Sequence, residues 1–198
     1  MKKLKIKFVA ILMTLSFYQL NFAQETKTNE KTKLSFEVDP ATFLFNGYSF
    51  HIRLQPKGCE HLLIGLGTYS MDLPDLIVNF NKKNKDEGWD VKINQGYSLF
   101  AEQHLTEVNN KWFIGTQIGI QEFKIEKNNT LGSTKFTNIL TMGYFGYTIR
   151  PLKNNFYIKP WLGIGYTSKL SGNNNIAMTE FDIAPITMFA TFHIGYTF

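Results

Sequence analysis

The chain ends in ITMFATFHIGYTF, residues 186–198, and this stretch decides the fold. Every second residue in it is apolar, namely Ile186, Met188, Ala190, Phe192, Ile194, Tyr196 and Phe198, and most residues between them are small or polar. Alternation with a period of two is typical of a β-strand with two different faces. A strand of a soluble β-sandwich can alternate in the same way, but it rarely fills its apolar face with such large side chains. The stretch therefore predicts a strand that presents one large apolar face.

Similar segments precede this strand, separated by two kinds of connection. Short turns are predicted at residues 55–60, 108–110 and 152–154, and longer polar loops at residues 73–90, 127–134 and 171–182. Counting backward from Phe198 places strands at about 184–198, 155–170, 135–150, 111–127, 94–107, 61–72 and 48–55. Seven strands would leave the two ends of the chain on opposite sides, so an eighth is expected within residues 34–45. The sequence thus predicts an all-β fold, an eight-stranded antiparallel up-and-down transmembrane β-barrel.

The first hairpin allows two interpretations. In the preferred one, residues 34–45 form a plain strand that joins the next strand through Asn46-Gly47, a strong hairpin signal. In the other, Asp39 caps a helical turn over residues 40–46, with Pro40 at its first position and Gly47 as its stop. Both interpretations keep eight strands.

Each predicted strand has an outward apolar row, and several rows carry an aromatic residue near one end, as the water interfaces of a membrane barrel require. The rows are Tyr48, Phe50, Ile52, Leu54; Leu62, Ile64, Leu66; Tyr97, Leu99, Ala101, Leu105; Trp112, Ile114, Ile118, Ile120; and Phe156, Ile158, Leu162, Ile164, Tyr166. In the strand at 135–150 two rows compete for the outside, one containing Phe145 and Ile149 and the other Leu140, Met142 and Tyr144.

The inward rows combine glycine with large side chains. Their glycines are Gly65, Gly67, Gly96, Gly115, Gly119, Gly163, Gly165 and Gly195, and their large residues include Tyr69, Phe100, Phe113, Trp161 and Phe189. An eight-stranded barrel has an interior just wide enough for side chains, and alternating small and large residues fill it. We therefore expect a plugged lumen.

The amino-terminal residues have the pattern of a secretory signal peptide. Four lysines precede the apolar run at residues 8–17, and Ala23 offers a small residue for cleavage. The expected organisation is a signal peptide over residues 1–23, a flexible lead over residues 24–33 and a barrel domain over residues 34–198. Removing the signal leaves 17 of the 21 Lys and Arg against 16 acids, so no nucleic-acid binding is expected. Cys59 is the only cysteine and cannot form an internal disulfide.

Taken together, the signal peptide, the eight two-faced segments and the terminal Phe198 resemble small outer-membrane barrels of the OmpA, OmpX and OmpW type. The resemblance implies export to the cell outer membrane of a Gram-negative bacterium, contact with outer-membrane lipid and lipopolysaccharide, and a monomer. It also implies that Phe192, Ile194, Tyr196 and Phe198 form the insertion signal that the barrel-assembly machinery recognises. No catalytic, metal-binding or cofactor-binding residue follows from it, and no cofactor is expected. The main alternative is a soluble periplasmic β-sandwich or lipocalin-like barrel, whose apolar rows would form an exposed patch that soluble proteins avoid.

Charged and imidazole side chains gather on the inward rows in the half of the barrel near the short turns. They are His51, Arg53, Glu102, His104, Lys159 and His193. Such groups need partners in a narrow lumen, so a network of ion pairs and hydrogen bonds is the expected arrangement. Histidines beside a carboxylate could also serve acid–base chemistry, and three of them could hold a metal.

The sequence favours a structural or surface-interaction barrel over an enzyme. Ser98 shares an inward row with Glu102 and His104, but Ser98 and His104 would lie roughly 20 Å apart at the strand rise. No Gly-x-Ser-x-Gly elbow is present. A lipid-modifying enzyme for lipid A or phospholipid acyl chains and a narrow pore for small solutes are the alternatives. The loop at residues 73–90 is expected to be either a solvated loop with a partly packed base or an amphipathic cap that meets lipopolysaccharide or a partner.

Overall fold

The structure is a computed structural model that describes residues 31–152 and 154–198. The predicted signal peptide and residues 24–30 of the predicted lead lie outside the described residues. The elements, in chain order, are β1 (Lys33–Val38), α1 (Pro40–Leu44), β2 (Tyr48–Gln55), β3 (Leu62–Asp72), α2 (Asp75–Val78), β4 (Trp89–His104), β5 (Lys111–Lys127), β6 (Ser133–Thr148), β7 (Phe156–Gly172), β8 (Asn175–Ile176), β9 (Thr179–Glu180) and β10 (Ile186–Thr197). Neither helix of the described part is long and apolar enough to cross a membrane.

Eight of the strands close into a barrel. Their order around the ring is β1-β10-β7-β6-β5-β4-β3-β2, and every pair is antiparallel. The remaining two strands, β8 and β9, form a small separate hairpin between β7 and β10. We call the end with connections 56–61, 105–110 and 149–155 the turn end, and the end with connections 39–47, 73–88, 128–132 and 173–185 the loop end. The predicted eight-stranded antiparallel up-and-down barrel is confirmed.

An apolar band surrounds the barrel. The large residues predicted to face outward are exposed or half-buried, and Leu66, Leu99 and Ile164 each keep more than half of their surface accessible. In β6, Leu140, Met142 and Tyr144 are buried in the interior, whereas Phe145 and, directly after the strand, Ile149 are exposed. The competition between the two rows of that strand is therefore decided in favour of Phe145 and Ile149 on the outside.

The first hairpin contains a helix, so the preferred prediction of a plain strand over residues 34–45 is wrong. The Asp39 side chain accepts a hydrogen bond from the backbone N–H of Ala41 at 2.9 Å, and Pro40 occupies the first turn of α1. An N-cap and a helix-compatible proline together outweigh the strand signal that precedes them. The two-residue turn at Asn46-Gly47 is wrong as well, since Asn46 alone has a positive φ, of 51°. Gly47 is required there because a Cβ would collide with the backbone of Ser70.

Strand β4 starts at Trp89 and not near residue 94 as predicted. A register shift between Ile93 and Gln95 marks a β-bulge against β5, and it exchanges the two faces of the strand. Trp89 and Ile93 point inward before the bulge, and Gly96 and Ser98 point inward after it. Because the bulge breaks the alternation, the first residues of this strand resemble a polar loop in the sequence.

An apolar cluster, which we call the cap, fills the loop end of the barrel. Its buried members are Val78, Trp89, Val91, Ile93, Phe123, Ile125, Phe136, Ile176 and Phe181. Val78 comes from α2 and Phe181 from the segment after β9, so two long loops fold over the strands. Asp182 joins these loops, because its carboxylate accepts hydrogen bonds from Asn81 at 2.6 Å and Lys83 at 3.1 Å. Val78 of the predicted 73–90 loop is thus packed in the cap, whereas Leu76 and Phe80 of the same loop are exposed.

Candidate functional site in the barrel interior

Glu37 on β1 lies at the centre of a buried polar network in the turn-end half of the lumen. Its carboxylate accepts hydrogen bonds from Lys159 Nζ at 2.7 Å, Tyr157 Oη at 2.8 Å and Arg53 Nε at 3.0 Å. His193 Nδ1 lies 3.0 Å from the same carboxylate. Four strands therefore contribute a side chain to one point, which fixes their relative heights in the ring.

Glu102 on β4 is the second carboxylate of the network. It accepts hydrogen bonds from Lys159 Nζ and Tyr144 Oη, both at 3.0 Å, and Arg53 Nη1 lies 3.7 Å away. His104 Nε2 lies 3.3 Å from Glu102 Oε2. Two carboxylates thus face one arginine and one lysine, and the four opposite charges balance when the imidazoles are neutral. Removing water from these groups is costly, and mutual pairing offsets that cost.

The structure brings all six sequence-predicted interior residues together in this network or directly above it. Arg53, Glu102, His104 and Lys159 are each 1% exposed or less, and His51 and His193 are nearly as buried. Sequence reasoning missed Glu37, although it is 1% exposed. Its signal was the alternation of Leu34, Phe36 and Val38, which places Ser35 and Glu37 on the opposite, inward face.

A predicted inward glycine, Gly195, makes room for an aromatic residue of the network that was not predicted, Tyr157. Gly195 of β10 pairs with Tyr157 of β7, and a Cβ on Gly195 would collide with the Tyr157 ring. The tyrosine can therefore lie flat across its neighbour and reach Glu37 with its hydroxyl. This explains why a small residue is needed beside a large one in so narrow a lumen.

A serine and histidine pair that was not predicted lies on the loop-end side of the network. Ser49 Oγ and His51 Nε2 share a hydrogen bond of 2.6 Å on the inward face of β2. His51 Nδ1 has no hydrogen-bond partner among the described residues, so no carboxylate orients this ring. Ser98, Glu102 and His104, which share an inward row in the sequence, do not form a catalytic triad. Ser98 Oγ instead accepts a hydrogen bond from Gln117 Nε2 at 2.7 Å.

A cavity of about 190 Å³ separates the network from the cap. Ser49, His51 and His193 lie at its turn end, and Leu73 and Ile77 lie at its loop end. Side chains thus fill the lumen at its two ends, and the cavity lies between them. Within residues 31–152 and 154–198, no group of three His, Cys, Asp or Glu side chains has the arrangement needed to hold a metal ion.

The proposed insertion residues lie on the outer face in, or directly after, the half of β10 nearer the turn end. Phe192, Tyr196 and Phe198 are exposed and Ile194 is half-buried. Phe198 contacts Phe36 and Tyr196 edge to face, with ring centroids 5.6 Å and 4.9 Å apart. The last residue therefore packs across the junction of β10 and β1.

Comparison with known proteins supplies structural neighbours only. No protein-family model and no curated protein matches the sequence. Among solved structures, the chain resembles the N-terminal β-barrel domain of Pseudomonas aeruginosa OprF, with a TM-score of 0.44, 11% identity, and coverage of 87% of this chain and 100% of that one. It also resembles a major outer membrane protein from Thermus thermophilus, with a TM-score of 0.47, 11% identity, and coverage of 85% and 100%. At that identity and those scores, neither neighbour carries an argument about function.

Proposed function

We propose that this chain is an outer-membrane β-barrel that conducts little and has a structural or surface-interaction role through its outer loops. The observation that carries the proposal is the buried network of Glu37, Arg53, Glu102 and Lys159. Each of these side chains is 1% exposed or less, and together they occupy the turn-end half of the lumen. A solute would have to break several charge-assisted hydrogen bonds to pass. A barrel closed in this way is suited to holding its loops in place.

The apolar band supports a place in the outer membrane. Exposed Leu, Ile, Phe and Tyr side chains surround the strands, and lipid is the solvent that such a surface requires. We propose that the turn end faces the periplasm and that the loop end meets lipopolysaccharide. Phe192, Ile194, Tyr196 and Phe198 would then be read by the barrel-assembly machinery, and the barrel would act as a monomer.

The packed loops support a role at the cell surface. The cap orders the loop at 73–88 against the loop at 173–185 and leaves Leu76 and Phe80 more than four-fifths exposed. Met178, between β8 and β9, is fully exposed. Apolar side chains on an ordered loop, beyond the lipid-facing band, are suited to contact with a partner.

Planar-bilayer recordings of the purified barrel test the proposal. We expect no large steady conductance, because the network closes the lumen even without the loops. A variant in which residues 174–183 are replaced by a Gly-Ser linker is the informative comparison, and its conductance should also stay low. A persistent large conductance in the unmodified barrel would refute the non-conducting role.

A lipid-modifying enzyme is the second candidate, and the hydrogen bond between Ser49 and His51 favours it. A serine beside a histidine is the minimum of a nucleophile and its base, but the unoriented His51 ring lacks the third member that such sites use. Mass spectrometry of lipid A and phospholipids from cells with and without the protein tests this candidate. A change in acylation that disappears with Ser49→Ala, while the barrel still folds, would establish the enzyme. Unchanged lipid profiles would eliminate it.

A further inference from the structure

The barrel wall is incomplete on one side. Strand β1 ends at Val38, which pairs with Ile194 of β10. Beyond that point, residues 186–193 of β10 keep their pairing with β7 but have no strand partner on the other side among the described residues. A gap therefore separates β10 from the upper part of β2.

This gap lies at the depth of the apolar band. Met188 and Phe192 of the same stretch are exposed on the outer face. An unpaired strand edge is tolerated at such a depth only where protein or a cavity covers it. Helix α1 supplies the cover, since Thr191 Oγ1 donates a hydrogen bond of 2.9 Å to the Asp39 carboxylate at its start. Phe43 and Leu44 of α1 are exposed, so they continue the lipid-facing surface across the gap.

The cavity between the network and the cap opens toward this gap. Ala41 and Thr42 of α1 line it on one side, and Met188 and Ala190 of β10 line it on the other. Met188 and Ala190 belong to the outward row, so the same residues touch the cavity and the lipid. The network closes the cavity toward the turn end, and the cap covers it toward the loop end. The side of the barrel is the remaining direction of access.

The lining selects an apolar and flexible occupant. Met71, Met142 and Met188 contribute thioether side chains, which adapt to irregular apolar shapes. Asp39 in the lining already accepts hydrogen bonds from Ala41 N and Thr191 Oγ1. The cations of the lumen, Arg53 and Lys159, are paired with Glu37 and Glu102 beneath the cavity. Among the described residues, none therefore offers an unpaired charge to a lipid headgroup in the cavity. The cavity can recognise the hydrocarbon part of a ligand.

We propose that this cavity binds a single unbranched hydrocarbon chain, which enters sideways from the bilayer between α1 and β10. The chain belongs either to a membrane lipid whose headgroup stays at the surface or to a free fatty acid. Both offer the same chemistry to the apolar walls. The site goes beyond the proposed surface role and does not depend on it, since a barrel that binds a chain can be silent in conductance and contact its partners through other residues.

Tryptophan quenching tests the proposal, because Trp161 lines the cavity. A variant with Trp89→Phe and Trp112→Phe keeps Trp161 as the single tryptophan, and a second variant keeps only the lipid-facing Trp112. Both are placed in lipid nanodiscs and exposed to dibromostearate in one arm and to a phospholipid with brominated chains in the other. Ala190→Phe narrows the opening, and Gly143→Phe is its matched control, because Gly143 is exposed on β6 and a Cβ there meets open space.

We expect bromine to quench the fluorescence of Trp161 in the variant that keeps only this tryptophan. Adding Ala190→Phe to that variant should clearly reduce the quenching, and adding Gly143→Phe should not. Quenching by the free acid alone assigns a fatty acid, and quenching in both arms admits lipid chains as well. Trp161 that stays unquenched while Trp112 is quenched would overturn the site. Equal quenching in the two phenylalanine variants would overturn sideways access.

Native mass spectrometry of the unmodified chain provides a second measurement that does not require tryptophan substitutions. We expect added mass from oleate on the wild type and on Gly143→Phe, and its loss on Ala190→Phe. The absence of oleate on all three proteins would also overturn the proposal.

Discussion

Glu37 illustrates how one buried carboxylate can organise a barrel interior. Four side chains from β2, β7 and β10 converge on its two oxygens. These contacts fix the heights of the three strands relative to β1. The interior tolerates these charges because each has a partner, and the removal of one partner leaves the others buried and unpaired.

We expect Glu37→Gln to lower the free energy of unfolding by about 3–5 kcal/mol, the range for breaking a buried ion pair. Urea unfolding of the refolded barrel in detergent micelles measures this difference. Glu122→Gln is the control, because Glu122 pairs with Lys135 at 2.9 Å on the exposed face, where an ion pair contributes at most about 1 kcal/mol. Equal losses in the two variants would show that the interior network adds nothing beyond surface pairing.

At the residue scale the sequence predicted which side chains face inward but not which contacts they make. A period of two assigns Arg53, Glu102 and Lys159 to the lumen without further information. The partners of each charge depend on the relative heights of neighbouring strands, which the bulges and turns set. Glu37 was missed because Asp39 and Pro40 follow it and disturb the pattern of its strand.

The elements differ in how far their sequence determines them. The strands with unbroken alternation, such as β5 and β7, start within a residue of their predicted positions. The start of β4 was wrong because the bulge between Ile93 and Gln95 exchanges its faces. Helix α1 was the less favoured of two interpretations, although its N-terminal signals, Asp39 and Pro40, were readable in the sequence. The apolar cluster that we call the cap was not predictable, because it brings together two loops whose residues are about 100 positions apart in the chain, such as Asn81 and Asp182.

The contact between those two loops should weaken in acid. Hydrogen bonds from Asn81 and then Lys83 lower the pKa of Asp182. A carboxyl whose pKa is lower in the folded state stabilises that state above its unfolded pKa of about 3.9, and the stabilisation is lost as the pH falls through the folded pKa. Hydrogen exchange of residues 79–84, corrected for the intrinsic rate, should therefore accelerate below about pH 4.

Asp182→Asn provides the comparison for this pH dependence. Its exchange should already be faster at neutral pH, because Lys83 loses its charged acceptor, and its acceleration in acid should be smaller. Identical pH profiles for the variant and the wild type would show that Asp182 does not hold the loops together.

The whole molecule has two distinct ends, and the single cysteine reports on one of them. Cys59 is a free, half-buried thiol in the turn between β2 and β3. With the turn end in the periplasm, a maleimide too large to cross the outer membrane should leave Cys59 unlabelled in intact cells and label it after the membrane is permeabilised. Labelling of intact cells would reverse the orientation.

For this labelling, a cysteine in the outer loops is the matched control. In a Cys59→Ser background, Met178→Cys should be labelled in intact cells, because Met178 is fully exposed at the loop end. Heat-modifiable migration of both variants in a detergent gel confirms that the barrel is folded before the labelling is compared.

The short first strand also has a mechanical consequence. Strand β1 joins β10 through four residue pairs, whereas β5 and β6 share sixteen. The junction between β1 and β10 is therefore the weakest point of the ring. During assembly we expect the hairpins from β2 to β7 to form first and the β1–β10 junction to close last. Pairs of cysteines placed across the β5–β6 junction and across the β1–β10 junction, and cross-linked at successive times, would show that order. Under mechanical force the β1–β10 junction would separate first, and the barrel would open as a sheet before any of its hairpins came apart.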